Sequence, residues 1–274
     1  MNARPLVLLT DYGATDFYAG VTRAVIASAS PASRIIDLQH DLPAHDIAAA
    51  SFVLARSWHY LPENAVVVVV VDPGVGSARR GLVVTLDGRV LVGPDNGFAS
   101  DLLARTGEST PPGFFVIDED AARRAIGLRV DGATFHGRDI FGPVAAAIAR
   151  GVEPSGLAKP VGGITMLRDV PSVSIDGGRV HGTGRYVDHF GNVLSDIPRA
   201  VLQRVFGDES RVRVSVGGHD VGPLRATYMD GASGELIGIV NSWGLVEAAI
   251  NGGRAIDFLE GVAPRSIRFE IRAR

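Results

Sequence analysis

The chain of 274 residues contains no cysteine. That excludes a disulfide scaffold, thiolate metal sites and a cysteine nucleophile. Nowhere does an apolar run reach the roughly 18 residues that a membrane-spanning helix needs. The N-terminus lacks a charged segment followed by an apolar stretch and a cleavage site. We therefore expect a cytoplasmic protein with no membrane partner. The formal net charge is −3, which supplies no basic field for nucleic acid. No Gly-x-Gly-x-x-Gly opens the first helix and no Walker A lysine is present, so dinucleotides and nucleoside triphosphates are poor ligands. His40 and His45 share a turn without an HExxH context, and we expect no metal.

What the chain has is apolar bulk, 46% of its residues, enough for a sizeable core. Its centre is Val66 to Val71, six valines in a row. A β-branched run without polar alternation reads as a strand buried on both faces of a parallel sheet. Pro73, Gly74 and Gly76 break it sharply, leaving Asp72 at the strand's carboxyl end, where open α/β sheets place their ligands. Arg79 and Arg80 are both near enough in sequence to fold back beside it.

Pro5 to Thr10 is a second strand ending in an acid, Asp11, and Asp16 precedes a helix carrying Val21, Val25 and Ile26. Arg34 to Leu38 reads as a strand, Ile47 to Tyr60 as a helix. Leu82 to Leu86 and Arg89 to Val92 flank Asp87-Gly88, a two-residue hairpin signal. A helix over Phe98 to Arg105, a strand over Phe114 to Ile117 and a helix over Ile140 to Arg150 complete an α/β domain with a mostly parallel central sheet. Residues 1–160 form this domain. A linker over 161–172 follows, marked by Gly162, Gly163 and Pro171. Residues 173–274 then lose helical periodicity, apart from Pro198 to Phe206. Strands over Val173–Ile175, Arg179–Val187, Arg211–Val216, Leu236–Val240, Ala255–Leu259 and Ser266–Ile271 suggest an antiparallel β-barrel or sandwich.

An aspartate at a strand end most simply caps a turn or helix. Two such acids at one crevice favour a ligand with hydroxyls or positive charge, and would repel a phosphate. His136, between a polar turn and a helix, could orient or deprotonate a water beside a strand-end Asp and an Arg. Asp188 to Asn192 and Asn241 to Glu247 read first as turns. An Asn side chain also suits a nucleobase edge, and Trp243 reads equally as core or as a stacking face.

Together these segments resemble the S-adenosylmethionine hydroxide adenosyltransferases, relatives of the fluorinase and chlorinase. The resemblance rests on Thr10-Asp11-Tyr12-Gly13 with Asp16, Val71-Asp72-Pro73-Gly74-Val75-Gly76 with Arg79, and Gly93-Pro94-Asp95-Asn96-Gly97. Thr134-Phe135-His136-Gly137-Arg138-Asp139, Asp188-His189-Phe190-Gly191-Asn192 and Asn241-Ser242-Trp243-Gly244 follow in order. It implies an N-terminal α/β domain, a C-terminal β-barrel, and a homotrimer with substrate held between neighbouring subunits. It further implies cofactor-free hydrolysis of S-adenosylmethionine to adenosine and methionine by an Asp72, Arg79 and His136 triad. The substrate contacts it implies are Asp11, Asp16, Asp72, Asp188, Asn192, Tyr228, Ser242, Glu247 and Ile250. Halogenating relatives have a tyrosine at the position of Asp72, lack the histidine, and carry an insertion in place of the short Asp87-Gly88 hairpin. The competing readings are a halogenase forming 5′-halo-5′-deoxyadenosine and a non-catalytic adenosine or S-adenosylmethionine sensor.

Overall fold

The computed structural model describes residues 3–105, 111–121, 133–168, 170 and 172–274. The chain divides into two compact units, Met1–Arg168 and Asp169–Arg274.

In the first unit the strands β1 (Leu6–Thr10), β2 (Ile35–Gln39) and β3 (Val66–Val70) precede β4 (Gly81–Leu86), β5 (Arg89–Pro94), β6 (Gly113–Ile117) and β7 (Ala158–Pro160). The order across the sheet is β2-β1-β3-β5-β4-β6-β7. Its centre, β2-β1-β3-β5, is parallel, and β4, β6 and β7 extend it antiparallel. Every residue of β1 and β3 is buried, as an all-apolar run with covered faces should be. Helices α1 (Tyr18–Ala29) and α2 (Ile47–Ser57) make the crossovers, and a short α3 (Ser100–Leu103) follows β5. The chain leaves β1 to one side for β2 and returns to the other side for β3. The strand order thus reverses between β1 and β3, and at their carboxyl ends lie Asp11 and Asp72. That crevice is where doubly wound sheets hold ligands.

The helix expected over Ile140 to Arg150 is α4 (Gly142–Ala149), preceded by a wide π-helical turn over Gly137–Phe141. Pro143 has no N–H to give the ordinary ladder, and the Gly142 N–H reaches back five residues to Gly137 O. Residues 161–168, expected within a linker, are held on this unit: Thr165 N donates to Asp95 Oδ1 at 2.7 Å and Leu167 N to Ser100 Oγ at 2.8 Å. Pro171 lies outside the described residues.

The second unit holds β8 (Ser174–Asp176), β9 (Arg179–Val187), β10 (Val193–Pro198), β11 (Val212–Val216), β12 (His219–Arg225), β13 (Leu236–Val240), β14 (Leu245–Ile250) and β15 (Arg268–Ala273). Pairing runs β10-β14-β13-β12-β11-β15-β9-β8, and a further β9–β10 pairing closes the barrel. All pairs are antiparallel except β12 with β13. One expected strand is corrected. Residues 255–259 form a helix, α6 (Ala255–Phe258), following α5 (Arg199–Phe206). Ala255 and Leu259 are buried while Asp257 between them is exposed, a four-residue period that suits a helix and not a strand. Strands β10, β12 and β14 were not anticipated. In β12, Gly222 and Pro223 disguise the pattern.

Candidate active site

Parallel pairing sets Thr10 beside Val70, so Asp11 and Asp72 emerge from adjacent strand ends. Asp72 is nearly enclosed, its side chain 6% exposed, and Arg79 beside it is 10% exposed. Arg79 Nε donates to Asp72 Oδ1 at 2.9 Å and Oδ2 at 3.0 Å, and Nη2 also donates to Oδ2. Such charge-assisted, forked pairing both orients the guanidinium and offsets the cost of burying the carboxylate. The same Nη2 lies 2.6 Å from His136 Nδ1. The guanidinium is stacked 5.1 Å over the ring of Phe141, a residue just beyond the Thr134–Asp139 motif whose role only the fold reveals.

This geometry sets the state of His136. An arginine has only donors, so Nδ1 accepts, and in the neutral ring the proton sits on Nε2. Burial, reinforced by the Arg79 charge, holds the His136 pKa below its ordinary value. The ring is therefore a neutral N–H donor at Nε2. It can orient or steady an oxygen there, but it has no lone pair at Nε2 with which to take a proton.

Below the histidine, Gly137 packs against Tyr12. A Cβ at Gly137 would fall 1.8 Å from Tyr12 Oη, so only glycine permits that contact. Among the described residues, neither the buried Tyr12 hydroxyl nor the buried Thr22 Oγ1 makes a well-formed hydrogen bond, although the two lie close enough for Thr22 to act on the phenol. Burial, then the Asp11 charge, pushes the phenol far above its ordinary pKa. Asp11 is itself anchored, its Oδ2 accepting from His45 N at 2.8 Å. Holding that N–H puts His45 at φ 66°, a backbone region uncommon for a residue other than glycine. Asp16 is exposed, just ahead of α1.

The second unit gathers a separate polar group. In the Asp188–Asn192 turn, Asp188 Oδ1 accepts from Asn192 N at 2.8 Å and Oδ2 from Asn192 Nδ2 at 3.0 Å. Gly191 must be glycine there, with φ 84° and a Cβ that would meet Arg254 at 2.6 Å. Glu247, 2% exposed, accepts from Tyr228 Oη at 2.9 Å and Asn241 Nδ2 at 2.7 Å. Burial raises the Glu247 pKa, and Asp188 is near enough to raise it further. Asp188 likewise adds to the rise at Tyr228, where burial and then Glu247 dominate. Asp188, Asn192, Tyr228 and Glu247 thus form one neighbourhood. Asn241, considered from sequence as a base reader, has its amide committed. Its Oδ1 accepts from Trp243 N at 3.0 Å and Leu245 N at 3.1 Å, and its Nδ2 serves Glu247. Ser242 and Trp243 are exposed, Ile250 half-buried at the end of β14. Among the described residues, no cluster of three or more His, Cys, Asp or Glu could hold a metal ion, and no helix is long and apolar enough to cross a membrane.

Comparison with known proteins covers both units. The family model for the SAM hydroxide adenosyltransferase N-terminal domain matches residues 6–158, and that for the corresponding C-terminal domain matches residues 182–265. An (R)-S-adenosyl-L-methionine hydrolase of Thermus thermophilus is 37% identical over 93% of this chain and 95% of its own. One of Salinispora tropica is 39% identical over 93% of each. A fluorinase of an Actinoplanes species is more distant, 21% identical over 91% of this chain and 92% of its own. Among solved structures, an uncharacterized conserved protein of Thermotoga maritima aligns at a TM-score of 0.86 and 31% identity, over 97% of this chain and 99% of its own.

Proposed function

Because this chain belongs to the SAM hydroxide adenosyltransferase family, we propose that it hydrolyses S-adenosyl-L-methionine to adenosine and L-methionine. One observation carries the reading: Arg79 bridges the buried Asp72 and His136, leaving the Nε2–H of a neutral imidazole without a partner among the described residues. The reaction forms a bond from a water oxygen to the ribose C5′ and breaks the C5′–sulfur bond. The bonding pair passes to sulfur, which leaves as a neutral thioether and needs no acid. The attacking oxygen loses its proton to solvent and becomes the adenosine 5′-hydroxyl.

The chain's task is then to hold a hydroxide-like oxygen in line, at about 3–3.5 Å from C5′. The Arg79 charge favours the anionic form, the His136 Nε2–H orients it, and Asp72 fixes Arg79 while keeping lone pairs for a ribose hydroxyl. Attack by an anion on a sulfonium neutralises charge, which an enclosed site favours. Asp11 and Asp16 complete the first unit's substrate contacts. Asp188, Asn192, Tyr228, Ser242, Glu247 and Ile250 supply those of the second. We extend the reading to a cofactor-free, cytoplasmic homotrimer with its sites between subunits. Its support is the ordered set of motifs shared with the family, and sedimentation of the purified protein tests the assembly.

Halogenation is the weaker alternative, since an acid occupies the position where halogenating relatives carry tyrosine, and the fluorinase likeness is the more distant one. Reaction in oxygen-18 water decides between them. Label at the adenosine 5′-oxygen is expected; unlabelled adenosine, or 5′-halo product in excess halide, overturns the proposal. Binding of adenosine with turnover no better than His136→Ala would instead make the protein a sensor. The two sulfonium epimers should be assayed separately, because the hydrolases named above are specified for the (R) form. C5′ is common to both, so any preference reports contacts along the methionine arm.

A further inference from the structure

We infer that Asp95 and Asn96, in the turn after β5, are positioning residues that staple both ends of the loop carrying Asp72 and Arg79. The two partners sit seven residues apart in a segment containing Pro73, Gly74 and Gly76. Its internal bonds are few and local, such as Ser77 Oγ to Gly74 O at 2.6 Å and Arg79 N to Ser77 Oγ at 3.3 Å. Such a loop does not hold a guanidinium to a fraction of an ångström by itself. Its ends do.

At the entry, Asn96 Nδ2 donates to Val71 O at 2.9 Å, on the residue immediately before Asp72. At the exit, Asp95 N donates to Arg80 O at 2.9 Å, on the residue immediately after Arg79. Arg80 Nε donates to Asp95 Oδ2 at 2.8 Å, and Nη2 does so as well. The Asp95 side chain is 1% exposed, and its other oxygen is occupied by Thr165 N at 2.7 Å. Gly93 makes the approach possible: a Cβ there would lie 2.4 Å from Val69 O, so only glycine lets β5 deliver this turn against the end of β3. Two consecutive side chains therefore define where Asp72 begins and where Arg79 ends. A loop free to drift by about 1 Å would lose the simultaneous reach of Arg79 to Asp72 and His136, a displacement that costs on the order of 100-fold in rate.

Asn96→Asp tests this with nearly unchanged volume, since it replaces the donor to Val71 O by an acceptor that repels it. Asn96→Ser, too short to reach, serves if the first variant does not fold. Two readouts are needed. The first is the imidazole titration of His136, followed by NMR of ring-labelled histidine. The groups acting on that ring are Arg79, Glu119, Asp72 and Asp139. Loosening the Arg79 contact should move the midpoint upward, towards its ordinary value. The second is kinetic: kcat for S-adenosylmethionine falls about 10- to 100-fold while adenosine affinity changes less than about threefold. An unmoved His136 midpoint in a folded variant overturns the staple, whether or not kcat falls. Only the kinetic arm rests on the hydrolytic reading. Wild-type protein inert towards S-adenosylmethionine would defeat that reading and leave the titration to judge the staple alone.

Discussion

Alanine at Gly137 should disturb the site through Tyr12, and removing one oxygen from Tyr12 should repair it. A methyl group on Gly137 would lie 1.8 Å from Tyr12 Oη, 3.1 Å from Tyr12 Cζ and 3.5 Å from Val70 Cγ2. The first contact is impossible, the second tight, the third ordinary. Tyr12 cannot simply swing clear, because its ring meets Phe135 edge-on at 5.5 Å and Tyr18 at 6.2 Å. Overpacking of this kind costs about 3 kcal/mol at the upper end of its range. Alanine's better helix propensity returns about 1 kcal/mol, leaving a net loss near 2 kcal/mol, or about 4–8 °C in Tm for a unit of this size. Tyr12→Phe alone should be neutral or stabilising by up to about 1 kcal/mol, since the hydroxyl it deletes is buried and makes no well-formed hydrogen bond among the described residues. In the double variant the nearest atom is the 3.1 Å carbon, and Gly137→Ala should cost almost nothing in that background. A coupling of about 2 kcal/mol is therefore expected from chemical denaturation of the four proteins. Because Gly137 is bonded directly to His136, kcat should fall with the single substitution and recover in the double. Effects that add to within about 0.5 kcal/mol would refute the contact.

Arg79→Lys should lower kcat about 100- to 1,000-fold with adenosine affinity held within about threefold, because one ammonium cannot serve the Asp72 fork and His136 together; steady-state kinetics with retained activity would refute the bridging role. His136 gives a pH signature. Its folded pKa lies below its unfolded one, so its share of stability is complete above about pH 6.5 and is lost as pH falls from there towards the folded value. Denaturation of wild type against His136→Gln, at pH 8 and on acidification, should show wild type losing more; parallel losses would contradict a neutral, Arg79-bound imidazole.

The core of this site could be read from sequence where burial itself writes the pattern. Six valines can be buried on both faces only in a covered central strand, and that places Asp72 at its end. His136 is a different case. It comes to Arg79 across 57 residues, and no local period encodes that meeting; the motif resemblance supplied it. The helix over 255–259 and the unanticipated β12 fail for the opposite reason: Ala-Ile-Asp-Phe-Leu is too short for apolar residues alone to tell a helix from a strand, and Gly222 and Pro223 interrupt β12. The roles of Asp95 and Asn96 were hidden similarly, since a Pro-Asp-Asn-Gly run reads as a turn and a turn needs no further explanation.

The choice between Arg79 and Arg80 shows what sequence proximity leaves open. Both follow the same glycine-rich loop and either could reach back to Asp72. In the structure they part: Arg79 turns to Asp72 and His136, Arg80 to Asp95. Adjacent side chains entering a strand point to opposite sides, and β4 begins at Gly81. The arginine committed to Asp95 is thereby what prevents its neighbour from rotating away. Exchanging their roles would require turning the strand over, which the antiparallel register of β4 with β5, Gly81 opposite Pro94 and Leu82 opposite Gly93, does not allow. One arginine is held on Asp72 and His136 because the other is anchored on Asp95.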